Sequence, residues 1–120
     1  MCATETIQDT VKLISIITVN FNQAAVTEDL LTSIVGRNSY PRIEIIVVDN
    51  GSKTDPVPGW KEKYPGIIFI RSDKNLGFAG GNNLGVKAAK GDYLFFVNND
   101  TIFTENLVVE LAATLEANPE

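Results

Sequence analysis

The stretch Asp92-Tyr93-Leu94-Phe95-Phe96-Val97-Asn98-Asn99-Asp100-Thr101 decides how this chain folds. Its five consecutive apolar or aromatic residues, Tyr93 to Val97, cannot alternate between a core and a solvent face. They read as a strand buried on both sides. Two amides and a carboxylate follow at once. In open α/β sheets, a polar cluster at the carboxyl end of a central parallel strand is where ligands bind. Asp100 offers a hard oxygen of the kind Mg²⁺ or Mn²⁺ prefers, and Asn98 and Asn99 can donate to and accept from hydroxyls. That set suits a metal-bridged sugar diphosphate. A plainer reading is that Asn98 to Thr101 only ends the strand and caps the helix after it.

Working outward, strand and helix patterns alternate along the chain without repeats or low-complexity tracts. Met1 to Thr10 is polar, and residues 1–12 read as a lead-in to a single domain over 13–120. Leu13 to Val19 is β-branched and almost wholly apolar, a central strand. Ala24 to Val35 spaces Val26, Leu30, Leu31, Ile34 and Val35 as one helix face, with Gly36 near the stop. Ile43 to Val48 is a second buried strand, closed by the turn signal Asp49-Asn50-Gly51-Ser52. Pro56 and Pro58 leave room for only a short helix around Trp60 to Tyr64. Ile67 to Ile70 forms a third strand. Asn82 to Ala89 reads as a helix entered from a glycine-rich loop with Asn82 as its N-cap, and Glu105 to Glu116 as the last helix.

This βαβαβαβα order predicts an α/β fold: a mostly parallel sheet of four strands with helices on both faces. The doubly wound strand order 3-2-1-4 places a crevice between strands one and four. Asn20 and Phe21 then meet Asn98 to Asp100 there, although they lie far apart in sequence. Two further loops reach the same rim. Asp49 can accept from a base N–H or a ribose hydroxyl, or it can close an Asx-turn onto the backbone of Asn50 or Gly51. The segment Asn75-Leu76-Gly77-Phe78-Ala79-Gly80-Gly81-Asn82-Asn83 lets a ligand approach the backbone and leads into a helix N-terminus, which favours anions. It is neither a dinucleotide fingerprint nor a P-loop, because no Gly-Lys-Ser/Thr is present.

Composition narrows the function classes. The 120 residues are 44% hydrophobic and 21% charged, ordinary for a soluble domain with a real core. A net charge of −5 without any run of Lys or Arg argues against duplex nucleic acid or an anionic membrane as main partner. The chain contains no His, which excludes imidazole acid/base catalysis and imidazole metal sites within it. Its single Cys2 cannot form an internal disulfide and fits a reducing compartment. No apolar run approaches the roughly 18 residues of a membrane span, and no signal-peptide pattern opens the chain.

Four segments together carry a resemblance: Ile16-Ile17-Thr18-Val19-Asn20-Phe21-Asn22, Ile45-Ile46-Val47-Val48-Asp49-Asn50-Gly51-Ser52, Asn75 to Asn83, and Gly91-Asp92 through Asn98-Asn99-Asp100. Their order and spacing resemble family 2 glycosyltransferases, inverting enzymes of the glycosyltransferase-A fold. The match runs from about Leu13 to the end of the chain. The Asn75 to Asn83 form looks most like bacterial rhamnosyltransferases and relatives that build cell-surface polysaccharide. The resemblance implies that Val19, Asn20 and Phe21 pack on the nucleotide base and that Asp49 binds it. It also implies that Asn99 faces the ribose and that Asp100 holds the divalent metal, Mn²⁺ or Mg²⁺. Gly51, Asn75, Gly80, Gly81, Asn83 and Asn98 complete the expected nucleotide-sugar site.

Asn98 stands where the family's motif has its first aspartate, so one negative charge near the metal is missing. The family's acceptor pocket and general base belong to a second half, expected beyond Glu120. No catalytic residue is therefore assigned within this chain, and the fragment alone is expected to be inactive. Glu105 and Glu110 read as solvated surface, Trp60 and Tyr64 as cover for the sheet edge, and Arg71 as a phosphate ligand or a surface ion pair. The implied donor is a nucleoside-diphosphate sugar such as dTDP-rhamnose or a UDP-sugar. The implied acceptor is a saccharide or a lipid-linked saccharide, used in the cytoplasm at the inner face of the membrane. The alternative is a stand-alone nucleotide-binding module. A receiver-type signalling domain needs an acidic pair after strand one, where Asn20-Phe21-Asn22 has none. A nucleotidyltransferase needs a glycine- and arginine-rich loop there, which is also missing.

Overall fold

The structure, a computed structural model, describes residues 11–117. The polar segment Met1 to Thr10 and residues 118–120 lie outside the described residues. The elements alternate as expected: β1 (Ile14–Asn20), α1 (Ala24–Arg37), β2 (Ile43–Asn50), α2 (Val57–Lys63), β3 (Ile68–Ser72), α3 (Gly77–Ala88), β4 (Tyr93–Phe96) and α4 (Leu107–Ala117). The strands form one parallel sheet in the order β3-β2-β1-β4. Ile14 pairs in register with both Ile43 and Tyr93, and Asn20 pairs with Asp49.

The period of two along each strand divides the sheet into two faces. Ile14, Ile16, Ile45, Val47 and Phe69 point to one side, where Leu30, Leu31 and Ile34 of α1, Val57 and Trp60 of α2, and Val108 and Ala112 of α4 cover them. Trp60 is buried and tilts against Phe69 with ring centroids 5.5 Å apart. Phe103, from the loop after β4, is fully buried in the same cluster. Ile17, Ile46 and Val48 face the other side and meet Leu84 and Ala88 of α3.

Three expectations change at the level of side chains. The strand Tyr93 to Val97 is covered on one face only. Tyr93, Phe95 and Val97 pack on the main core, but Leu94 is 39% and Phe96 52% exposed on the opposite face. β4 is an edge strand of this sheet, and α3, the helix on that side, lies mainly over β1 and β2. On α1, Val35 faces solvent and Thr27 takes an inward position.

The glycine-rich segment is the third change. Helix α3 begins at Gly77, so Gly80 and Gly81 lie inside it, and Asn82 is not its N-cap. Gly77 has a positive φ, whereas Gly80 and Gly81 do not. Gly81 and Gly85 serve instead by closeness to the sheet. A Cβ on Gly81 would sit 2.9 Å from Val19 Cγ1, and one on Gly85 would sit 2.5 Å from Ile17 Cγ2. The glycines let α3 lie directly on β1 and β2.

Candidate functional site

The carboxyl ends of β1, β2 and β4 open on one rim, and the chain builds that rim from amides, hydroxyls and one part-buried ion pair. Asp49, the penultimate residue of β2, is fully buried. A charge taken out of water must be paired and hydrogen-bonded. Its Oδ1 accepts from Asn20 Nδ2 (2.9 Å) and from Ser52 Oγ (2.5 Å). Its Oδ2 accepts from the Ser52 backbone N–H (3.1 Å) and pairs with Arg71 Nη1. Arg71 also donates to the Ser52 carbonyl (3.0 Å) and lies 3.6 Å from Asp55 Oδ2. Of the two roles open to Arg71, the structure shows an ion pair, and the turn closed by Asp49 runs to Ser52 rather than to Asn50 or Gly51.

Asn20 is fully buried as well. Its Nδ2 is shared between Asp49 and Ser52 Oγ (3.2 Å), and its Oδ1 accepts from Thr27 Oγ1 (2.7 Å). Ser52 Oγ further accepts from the Asn22 N–H (2.8 Å), and Asn22 Oδ1 accepts from the Lys53 N–H (2.7 Å). Asn22 itself has φ 56°, a left-handed turn that asparagine tolerates. Beyond these pinned loops lies a cavity of about 330 Å³ lined by Asn20, Asn22, Ala24, Ser52, Lys53 and Thr54. Phe21 is exposed beside it in sequence, while the side chain of Val19 packs towards α3.

The glycine segment is tied to the same rim through Asn50, which is also buried. Asn50 Nδ2 donates to Asn75 Oδ1 (3.0 Å) and to the Gly77 carbonyl (2.9 Å), and its Oδ1 accepts from the Leu76 N–H (3.0 Å). Asn75 Oδ1 also accepts from the Gly77 N–H (2.8 Å), so two amides leading into α3 are satisfied internally. Gly51 makes this join possible. At φ +80° it passes so near the next loop that a Cβ would lie 2.6 Å from the Lys74 carbonyl carbon. Asn83 borders a separate depression of about 350 Å³ with Phe78, Ala79, Asn82 and Phe96.

At the end of β4, Asn99 turns inward and Asn98 and Asp100 face out. Asn99 Nδ2 donates to Thr27 Oγ1 and to Gln23 Oε1, each at 3.1 Å. Asn98 borders a cavity of about 340 Å³ with Phe95 to Val97, Thr101, Leu107 and Leu111. Asp100 is exposed. The loop is held from behind, because Phe103 fills the core and its N–H donates to the buried Ser33 Oγ (2.8 Å). Among the described residues, no three acids, thiols or imidazoles gather as a metal cage. One exposed carboxylate still fits Mg²⁺ or Mn²⁺, ions held through one or two carboxylates together with substrate phosphates.

Thr27, Ser33, Asn50 and Ser52 were not singled out from the sequence as site-building residues. A readable signal existed for two of them. Thr27 and Ser33 are small polar residues on a helix face otherwise occupied by leucine and isoleucine.

An open parallel sheet of order 3-2-1-4, with polar loops pinned at the carboxyl ends of its strands, defines a Rossmann-like domain. Comparison with known proteins narrows this to the glycosyltransferase-A type. The chain belongs to glycosyl transferase family 2, whose description matches residues 15–120. It is 32% identical over 107 residues to an uncharacterized glycosyltransferase of Haemophilus influenzae, covering 89% of this chain and 36% of that protein. It is 34% identical over 103 residues to the uncharacterized glycosyltransferase YwdF of Bacillus subtilis, covering 86% and 38%. Among solved structures, S. aureus TarS 1-349 in complex with UDP-GlcNAc superposes with a TM-score of 0.77 at 25% identity, covering 89% of this chain and 32% of that one. A Pyrobaculum calidifontis mannosyltransferase in complex with GDP-Man and Mn²⁺ shares the fold, with a TM-score of 0.76 at 24% identity over 87% and 32% of the two chains. The chain thus spans about a third of the length of these relatives.

Proposed function

We propose that this chain is the donor-binding part of an inverting glycosyltransferase, which moves a sugar from a nucleoside diphosphate to a saccharide or lipid-linked acceptor. The observation that carries this reading is the rim itself. Loops at the ends of β1 and β2 are satisfied internally around Asp49, while the loop after β4 leaves the Asp100 carboxylate exposed. A donor laid across this rim rests its base in the cavity beside Asn20, Phe21, Asn22, Ser52 and Lys53, its ribose near Asn99, and its diphosphate towards Asp100. Asp49 meets the base directly only by exchanging one of its present donors, Arg71 or Ser52, for a base N–H. Otherwise it acts by holding Asn20 and Ser52 in place.

TarS, which was solved with UDP and with UDP-GlcNAc, supports a nucleotide-sugar donor. A UDP-sugar or dTDP-rhamnose is the donor we favour. Asp100 would hold the divalent ion, Mn²⁺ or Mg²⁺, with Asn98 as a neutral neighbour. When bound, the metal stabilises the negative charge of the leaving nucleoside diphosphate. Inverting transfer also needs a base within hydrogen-bond reach of the attacking hydroxyl. Glu105 and Glu110 are both exposed, and we assign them no catalytic part. The base and the acceptor pocket belong to the part of the relatives' length that this chain does not span. No described helix is long and apolar enough to cross a membrane. Contact with the inner face of the membrane would come through the acceptor.

The test is nucleotide release from a panel of UDP- and dTDP-sugars with lipid-linked acceptors. It compares residues 1–120 with a version extended to the length of the relatives. The extended version should transfer sugar, and residues 1–120 should give at most trace hydrolysis of the donor. Nucleotide binding without transfer by the extended version would support the second reading, a stand-alone binding module. A failure of either version to bind or consume any nucleotide sugar would refute the proposal.

A further inference from the structure

Three side chains link the two halves of the rim across β1. Asn99, after β4, donates to Thr27 Oγ1 at 3.1 Å. Thr27, on α1, donates to Asn20 Oδ1 at 2.7 Å. Asn20, the last residue of β1, donates to Asp49 Oδ1 at 2.9 Å. Thr27, Asn20 and Asp49 are all fully buried, so water offers no substitute partners.

The direction of every bond follows from one charge. Asp49, paired with Arg71, is an acceptor only. It therefore requires the NH₂ of Asn20, since the flipped amide would set oxygen against carboxylate. The Asn20 carbonyl is then left facing Thr27, and it requires the hydroxyl proton. Having given its one proton, Thr27 Oγ1 can only accept, and it requires the NH₂ of Asn99. Gln23 Oε1 accepts from that same NH₂ at 3.1 Å, which agrees with this orientation. The Asn99 carbonyl is thus the end presented to the rim.

We infer that Thr27 is a positioning residue that couples the base end of the donor site to its ribose and metal end. This inference rests on the donor-site reading above. A ligand that draws on Asp49 or Asn20 changes what Thr27 receives, and Thr27 passes the change to Asn99, next to Asp100. Chains of buried hydrogen bonds polarise and orient one another in this way. Thr27 touches no ligand in this arrangement.

The test uses nuclear magnetic resonance on the chain itself. In the parent protein the Thr27 hydroxyl proton, shielded between two amides, should exchange slowly. It should show cross-relaxation to the side-chain NH₂ groups of Asn20 and Asn99. UDP with Mg²⁺ is then titrated into the parent, Thr27→Val and Thr27→Ser. Valine keeps the shape and removes both bonds; serine keeps the hydroxyl. We expect Thr27→Val to weaken UDP binding about tenfold and to abolish the ligand-induced shift of the Asn99 side chain. Thr27→Ser should restore both. If the parent binds UDP but Thr27→Val shows the same affinity and the same Asn99 shift, the coupling is refuted while the donor site stands. If the parent binds no nucleotide, the donor-site reading falls and takes the coupling with it. Should Thr27→Val fail to fold, the parent spectrum decides alone: no cross-relaxation between the Thr27 hydroxyl and the Asn99 side chain refutes the relay.

Discussion

Replacing Gly85 with alanine should destabilise the domain, although alanine is the better helix former. Gly85 is buried within α3, and an added Cβ would sit 2.5 Å from Ile17 Cγ2, 3.5 Å from Val48 Cγ2 and 3.6 Å from Ile17 Cβ. Carbon atoms rest at about 3.5–4.0 Å, so one of the two elements must give by roughly 1 Å. Ile17 cannot yield easily, because it is fully buried on β1 and its β-branched side chain is stiff at χ1. The helix must therefore lift from the sheet. Overpacking of this kind costs about 1–3 kcal/mol, and the rigid neighbour places this case in the upper part of that range. The helix propensity gained from glycine to alanine returns about 1 kcal/mol. The net loss is about 1–2 kcal/mol, a fall in Tm of about 4–8 °C for a domain of this size. Gly59 in α2 is the control, since nothing lies within 4 Å of its added Cβ. Gly59→Ala should gain up to about 1 kcal/mol. Urea unfolding followed by Trp60 fluorescence reads both variants. A Gly85→Ala domain as stable as the parent, or more so, would refute the argument that these glycines set the helix-to-sheet distance.

Other outcomes follow from the rim and the core. Asp100→Ala should abolish any increase in nucleotide affinity caused by Mn²⁺ and leave the thermal midpoint nearly unchanged, because the side chain is exposed; Asn98→Asp should strengthen the Mn²⁺ effect by adding a second charge, and calorimetry separates the two. Ser33→Ala should cost about 1–3 kcal/mol, since it leaves the buried Phe103 N–H without its acceptor, and denaturant unfolding measures the loss. Glu28 is held below the ordinary carboxylate range first by its bond to Lys63 and then by the Trp60 Nε1–H. Its contribution is thus present above the unfolded pKa and lost as pH falls through the lowered folded value. Glu28→Gln should therefore flatten the acid limb of the stability profile below about pH 4.5 and leave the alkaline limb unchanged.

The parts of the fold that were legible in the sequence are those that periodicity encodes. The β-branched runs at Ile14 to Val19 and Ile43 to Val48, separated by helical spacings, lead to a parallel sheet, and chain connectivity leads to its order. Less legible was which face of each element meets a neighbour. Tyr93 to Val97 is apolar throughout, yet only alternate residues are covered, because pattern alone does not say how far α3 extends over the sheet. The glycines of α3 misled for a related reason. In sequence Gly80 and Gly81 suggest a loop, whereas both lie inside the helix and Gly81 is part of its face pressed on Val19. At the rim, Asn20, Asp49 and Asn99 were named from motif position, and the structure brings Asn20 and Asp49 into contact and links Asn99 to them. The connecting roles of Thr27 and Ser52 were not read: Thr27 shows in sequence only as a polar residue on an apolar helix face, and Ser52 only as part of the turn after β2.

The central claim is that the loops after β1, β2 and β4 form a single donor site. It is tested most directly by mapping nucleotide binding on the 120-residue chain with backbone and side-chain amide resonances. The titrants are UDP and dTDP to millimolar concentration, with and without Mg²⁺. A shared site predicts concerted shifts with one binding constant at Asn20 to Asn22, at Ser52 and Lys53, and at Asn98 to Asp100, with the last group strengthened by the metal. Shifts confined to the depression between Phe78 and Phe96, or no shifts at millimolar nucleotide, would contradict it.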